Sequence, residues 1–274
     1  MEPRVAGELT GEEKQRYARQ MIIPNWGEET QRKLKASKVF IAGAGGLGSP
    51  ASFTLAVAGI GLIRICDHDS PELSNLNRQF LHDDSRIGMN KAESARRTLS
   101  RLNPDVQIDA IPEKIDEANV DQLVGDSDLI VDCMDNYPTR FVLNASAVRK
   151  GIPLVHGSIW GFEARVTFLH SPVTGCLACL FKEAPPKEVF PVLGATPGIT
   201  GTMQAMEAIK YLAGVGSLLK GRLLCCDYLE MRFFEVKVRK DPTCSPENAL
   251  RPVSRGTGPH PVGEPSLGLE RFLG

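Results

Sequence analysis

Apolar and polar positions along the chain change period in a regular way. Val39–Ile41 is a short apolar run suited to a buried parallel strand. Leu47, Ala51, Leu55 and Ala58 then recur at helical spacing, with Gly59 placed to close the helix. Leu62–Cys66 reads as a second strand, Val106–Ile111 as a third and Asp128–Asp132 as a fourth. Between and after them, helical patterns cover Lys91–Leu102, Glu117–Val124 and Pro138–Lys150. That alternation predicts an α/β fold with a mostly parallel, doubly wound sheet. After a fifth strand at Leu154–Val155 the period drops to two. Within residues 159–170, Phe162, Ala164, Val166 and Phe168 alternate with Glu163, Arg165 and Thr167, predicting a half-exposed antiparallel strand. A helix follows at Ile199–Ala213, its expected core face formed by Met203, Met206, Ile209 and Leu212. Leu223–Tyr228 and Phe233–Val238 complete the sheet. The C-terminal half is thus expected to extend the parallel sheet with antiparallel strands.

The flanks differ in character. Thr10 and Glu13 have capping-box spacing and start a helix carrying Arg16, Tyr17, Arg19 and Gln20. A charged helix over residues 28–37 follows, so residues 10–37 form an N-terminal helical arm. Arg16 and Arg19 share a face, which on periodicity alone is a solvated basic surface. Residues 1–8 are expected to be disordered. Residues 181–197 are proline-rich and aperiodic, as a mobile crossing loop would be. Four prolines and five glycines in the last 24 residues predict a disordered tail over 250–274. A single domain over residues 1–249 is the expected organisation.

Composition narrows the function classes. At 274 residues, 42% apolar and 24% charged, the chain can bury a sizeable core. A formal net charge of -1 gives no general attraction to nucleic acid or to an anionic membrane. No apolar run approaches the ~18 residues needed to span a bilayer, and the N-terminus lacks a signal core, so a cytoplasmic location is expected. Seven widely spread cysteines argue against a disulfide scaffold. Cys225 and Cys226 read as buried small hydrophobes, and Cys66 and Cys133 have no histidine at catalytic spacing.

The chemistry gathers at the strand ends. Gly43, Gly45, Gly46 and Gly48 form a GxGxxG-type turn between the first strand and its helix. Glycines let backbone amides approach a phosphate at the positive end of a helix. Asp67 closes the second strand, where a carboxylate accepts from ribose hydroxyls. This is a Rossmann-like arrangement; by itself it does not say which nucleotide, and NAD is the default. The long polar loop at 70–91 offers Asn75, Arg78, Gln79 and Lys91 as phosphate ligands. Lys91 opens a helix, where a cation is unfavourable unless an anion is present; the alternative is pairing of Arg78 and Lys91 with Asp83 and Asp84. Asp135, just past the fourth strand, is placed for a metal or phosphate, or else it or Asn136 caps the next helix.

Taken in order, RYARQ, GAGGLG, SNLNRQ with Lys91 thirteen residues beyond Arg78, DCMDN followed by Arg140 and Asn144, a CxxC and TMQAMEAIKYLAG make the chain resemble the MoeB/ThiF family of ubiquitin-like-protein activating enzymes. The resemblance runs from about Glu12 to Pro246. It implies ATP with magnesium instead of NAD. It implies a nucleotide site from Gly43, Gly45, Gly46, Asp67, Ser74, Asn75, Arg78, Gln79, Lys91, Asp135 and Asn136, with Asp135 serving the metal. It also implies that Arg19 reaches into the neighbouring subunit of a homodimer, which displaces the bland reading of that helix. Arg19, Arg78, Lys91 and Asp135 are then the catalytic set. The implied reaction is adenylylation of the C-terminal glycine of a small ubiquitin-like sulfur carrier (MoaD/ThiS type) ending in Gly-Gly.

Two departures matter. The family's zinc is held by two CxxC pairs; Cys176 and Cys179 are intact, but the second pair reads Cys244-Ser-Pro-Glu247. Structural zinc on three cysteines, with Glu247 as a fourth candidate, and a bare thiol cluster both stay open. Second, the crossing stretch EAPPKEVFPVLGAT has no cysteine, with Lys187 near that place. A thioester on that loop is not expected, and sulfur is expected from a separate donor. The alternatives are an enzyme of this fold adenylating another carboxylate, small molecule or peptide, and a non-catalytic nucleotide-binding module.

Overall fold

A computed structural model describes residues 7–181, 191–242, 244 and 249. The N-terminal arm comprises α1 (Gly11–Arg16), α2 (Ala18–Met21) and α3 (Gly27–Ala36). The capping box is present: Thr10 accepts from the Glu13 amide and Glu13 accepts from that of Thr10. The single helix expected through Arg19 breaks at Tyr17, whose ring slots under Gly59 while its hydroxyl accepts from Asn103 at 2.9 Å. Glu8, in the stretch expected to be disordered, accepts from Lys35 through its carbonyl.

Then come β1 (Lys38–Ala42), α4 (Gly48–Ala58), β2 (Leu62–Cys66), α5 (Lys91–Leu102), β3 (Gln107–Ile111), α6 (Val120–Val124), β4 (Leu129–Asp132) and α7 (Tyr137–Lys150). Helix α6 starts three residues later than expected, because Asp116 and Asn119 bond each other's backbone and hold 116–119 in a turn. The second half contains β5 (Leu154–Trp160), β6 (Glu163–Leu169), α8 (Leu177–Leu180), α9 (Ala195–Ala213), β7 (Arg222–Asp227) and β8 (Arg232–Lys237).

Among the described residues the sheet has eight strands in the order β3-β2-β1-β4-β5-β6-β7-β8. Pairings from β3 to β5 are parallel, and those from β5 to β8 antiparallel. The predicted fold class is the observed one. Strand β5 is longer than expected and β6 starts later, since Gly161 (φ +57°) turns the chain between them. One core layer lies under α4, α5 and α9, the other under α6, α7 and α8.

Helix α9 begins at Ala195, earlier than expected, with Pro197 in its first turn, where no amide bond is lost. Its core face also differs. Met206 is 51% exposed, and the buried stripe is Gly201, Ala205, Ala208 and Ile209. Small residues win there because α9 presses on α4: a Cβ on Gly201 would stand 2.3 Å from the Leu47 carbonyl oxygen. The residues expected to form the crossing loop (mostly), the tail from 250 and Glu247 lie outside the described residues.

Candidate active site

From β1 the chain winds outward to β2 and β3, then returns to set β4 on the other side of β1. Connections diverge at that switch point and leave a crevice beyond the strand ends. Gly43 crosses it at φ +98°, so close to β4 that a Cβ would lie 2.8 Å from the Cys133 carbonyl oxygen. A Cβ on Gly48 would lie 2.0 Å from the Gly43 carbonyl oxygen, so α4 begins hard against the strand. No side chain caps α4. Among the described residues nothing accepts from the N–H groups of Gly45 and Gly46. These are uncapped donors at the positive end of a helix.

Strand β2 supplies Asp67. Its carboxylate accepts from the amides of Ala44 (2.8 Å) and Asp69 (2.9 Å), tying the glycine turn to the strand end. Burial raises its pKa, against the Ala44 bond and the charge of Lys91. Asn90, which sequence reasoning passed over, caps α5 and also donates to the Asp67 carbonyl at 2.9 Å. Lys91 therefore enters beside the turn. It is only 7% exposed, and it faces Asp69 at 3.7 Å. The pairing with Asp83 and Asp84 considered for it is not formed; Arg86 takes Asp83.

The SNLNRQ loop folds over the turn. The Asn75 carbonyl accepts from the amides of Arg78 and Gln79, in a single 3-10 turn begun at Leu73–Asn75. Asn75 accepts from Glu72 and donates toward the Ser74 hydroxyl. Arg78 is steadied by the Ser74 carbonyl and the Asn77 side chain, both at 2.9 Å. Arg78 and Pro197 both pack on Gly46. Gln79, 5% exposed, lies over Gly45, and its Oε1 has no partner among the described residues. Free amides, a buried acceptor and two cations around one glycine turn fit a phosphorylated nucleotide.

Past β4, Asn136 caps α7 by accepting from Thr139 at 3.0 Å. Asp135 is thereby left exposed, touched by the Asn136 amide at 3.3 Å. Beneath it lies a cluster sequence reasoning missed. Buried Asp132 accepts from His156 at 2.7 Å and from the Met134 amide at 3.1 Å, with Arg140 at 3.7 Å. Arg140 also donates to the Met134 carbonyl, so both backbone groups of Met134 are held. A histidine inside an otherwise apolar strand was the available signal.

Arg19 is not brought to these residues within one chain. It is exposed on α2, and Gln20 and Gln31 anchor that helix to the Ala58 carbonyl, at the C-terminal end of α4. The glycine turn is at the other end of α4, ~16 Å away by helical rise.

The three cysteines form a separate centre. Cys176 and Cys179 sulfurs lie 3.9 Å apart, and those of Cys244 and Cys176 3.4 Å. Thiolates on a tetrahedral zinc with ~2.3 Å bonds stand ~3.8 Å apart, so the spacing fits. Burial and the neighbouring thiols push the Cys244 thiol up to about 12. Cys225 and Cys226 are buried in β7, as expected. No helix among the described residues is long and apolar enough to cross a membrane.

Comparison with known proteins agrees with this geometry. The ThiF family pattern matches residues 17–246. A SAMP-activating enzyme E1 from Haloferax volcanii is 44% identical over 235 residues, spanning 84% of this chain and 87% of that protein. A sulfur carrier protein adenylyltransferase from Thermus thermophilus is 40% identical over 246 residues, spanning 86% and 91%. The crystal structure of PaaA superposes with a TM-score of 0.75 at 28% identity, over 88% of this chain and 78% of its own. With the crevice motifs and a match over most of its length, this chain belongs to the ThiF family.

Proposed function

We propose that this chain is an adenylyltransferase that uses ATP to activate the C-terminal glycine carboxylate of a small ubiquitin-like sulfur carrier. The carrying observation is the buried Lys91 ammonium at a helix start, beside uncapped glycine amides, with one carboxylate at 3.7 Å. A cation in that position is stabilised by a polyanion. The names of the Haloferax and Thermus relatives support a carrier protein as the acceptor.

A carboxylate oxygen attacks the α-phosphorus, the bond to the bridging oxygen breaks, and pyrophosphate leaves with its electrons. Attacker and triphosphate are both anionic, so no side-chain nucleophile is required, and alignment with charge neutralisation supplies the rate. The amides of Gly45 and Gly46 take phosphate oxygens, and Asp67 accepts from the ribose. Ser74 and Asn75 hold the loop that carries Arg78 and Gln79. Arg78 and Lys91 neutralise the triphosphate, and Asn136 orients Asp135. A magnesium ion, held by Asp135, would add positive charge at the leaving pyrophosphate.

Arg19 would complete the site across a homodimer. Its distance from the turn of its own chain supports this, as does apolar surface nearby: Ile22 is 72% exposed. Cys176, Cys179 and Cys244 would hold a structural zinc that pins α8 to the segment after β8. The acyl-adenylate then passes to a separate sulfur donor.

The test is ATP–pyrophosphate exchange with a panel of Gly-Gly carriers and small acids. Exchange that depends on a carrier supports the reading; exchange with a small acid alone, or none, overturns it.

A further inference from the structure

One buried histidine beside the glycine turn has no part in the reaction above. His82 is 6% exposed, its Nε2 lies 2.9 Å from the Ala44 carbonyl oxygen, and its Nδ1 lies 2.9 Å from the Ser94 hydroxyl. A carbonyl only accepts, so Nε2 carries the proton. Burial, with the charges of Lys91 and Arg86 nearby, pushes the ring down to about 4, so it is neutral and Nδ1 accepts. The Ser94 hydroxyl must therefore donate to Nδ1, and its own oxygen accepts from Arg86 at 3.2 Å. Arg86 is held in turn by the Ser94 carbonyl at 2.7 Å and the Thr98 hydroxyl at 3.1 Å. Each donor has one direction, and the row runs from a guanidinium to the carbonyl of Ala44.

That carbonyl belongs to the peptide joining Ala44 to Gly45. In a planar trans peptide the C=O and N–H point opposite ways. Fixing the carbonyl on His82 therefore aims the Gly45 N–H away from it, and that N–H has no acceptor among the described residues. The Ala44 amide is bound to Asp67 at 2.8 Å, so the peptides on both sides of Ala44 are locked. Bonds in a row polarise one another, so a cation at the far end sharpens the last donor.

We propose that His82 is a positioning residue: the Arg86–Ser94–His82 row holds the Ala44–Gly45 peptide in the orientation that presents the Gly45 amide to a phosphate of the nucleotide. This rests on the nucleotide reading of the turn, so the test begins with binding of ATP and of adenosine to the wild-type chain. Failure of ATP to bind overturns the nucleotide reading itself. If ATP binds, the variants decide about His82.

His82→Leu removes the donor while keeping an apolar filler, and should weaken ATP about tenfold, the size of one lost buried hydrogen bond. Adenosine, which lacks the phosphates, should bind both proteins alike. His82→Gln, whose amide can donate to the same carbonyl, should recover most of the affinity. Ser94→Ala leaves the ring and its Nε2–H donor in place but cuts the row at the hydroxyl that joins His82 to Arg86. Long-range proton–nitrogen spectra should show one of the five histidines as a fixed Nε2–H tautomer in the wild type and in Ser94→Ala, since the Ala44 carbonyl only accepts, and that signal should be absent from His82→Leu. Equal losses for ATP and adenosine, no rescue by glutamine, or unchanged ATP affinity in a folded His82→Leu protein would each overturn the proposal.

Discussion

Replacing Gly48 by alanine probes the glycine turn with a single methyl group. The added Cβ would lie 2.0 Å from the Gly43 carbonyl oxygen and 2.8 Å from its carbon. Both are backbone atoms in the turn between β1 and α4, so no side chain can swing aside. Restoring ordinary contact requires the helix start and the strand end to part by about 1 Å in a close-packed interior. Overpacking of this kind costs about 1–3 kcal/mol of stability. The same displacement moves the uncapped amides relative to Arg78, Lys91 and Asp67, and ~1 Å at a reacting centre costs ~100-fold in rate. Gly11→Ala is the control: nothing lies within 4 Å of its Cβ, and alanine favours a helix there by up to about 1 kcal/mol. Thermal melting with ATP–pyrophosphate exchange separates the two effects. Gly48→Ala should melt lower and lose exchange well beyond that; Gly11→Ala should keep both. A Gly48→Ala protein with normal exchange would refute the close approach of helix and strand as a requirement for nucleotide binding.

Lys91→Met should melt no lower than the wild type without nucleotide, since it removes a poorly paired buried cation, yet lose exchange roughly a hundredfold. Arg19→Ala and Lys91→Ala proteins, each inactive, should regain activity when mixed and allowed to exchange subunits, because one site of the mixed dimer is intact; no recovery would place Arg19 outside the partner's site. His82 titrates at about 4 in the folded chain against an ordinary 6.5. Its folded pKa is depressed, so its contribution to stability is fully present above pH 6.5 and is lost as the pH falls toward 4, by about 3 kcal/mol in all. Denaturant titrations of His82→Gln should show a correspondingly flatter acid limb. Metal analysis of protein purified without added zinc should give one zinc per chain, and Cys176→Ser should lose it and melt lower.

The parallel half of the sheet was legible because buried strands and their helices have distinct periods, and Lys91–Leu102 matched α5 to the residue. The crevice was legible because glycine spacing, Asp67 and the loop cations each carry a local signature. What escaped depends on contacts across the fold. His156 and Gly157 interrupt the apolar pattern of β5, yet they are buried because Asp132 and Gln204 pack on them. Met206 followed the helical period but points outward, since α4 approaches α9 too closely for a long side chain. His82 and Asn90 sit in a polar loop where no periodicity marks them, and only the closure of that loop over the glycine turn gives them partners.

In the proposed reaction this crevice joins a carrier's terminal carboxylate to the α-phosphate of ATP. The most direct measurement is pyrophosphate exchange with a ubiquitin-like carrier ending in Gly-Gly, for the wild type and for Asp135→Ala. Exchange should require the intact carrier terminus and fall roughly a hundredfold without the Asp135 carboxylate. Near-normal exchange in Asp135→Ala, or exchange that ignores removal of the terminal glycine, would contradict it.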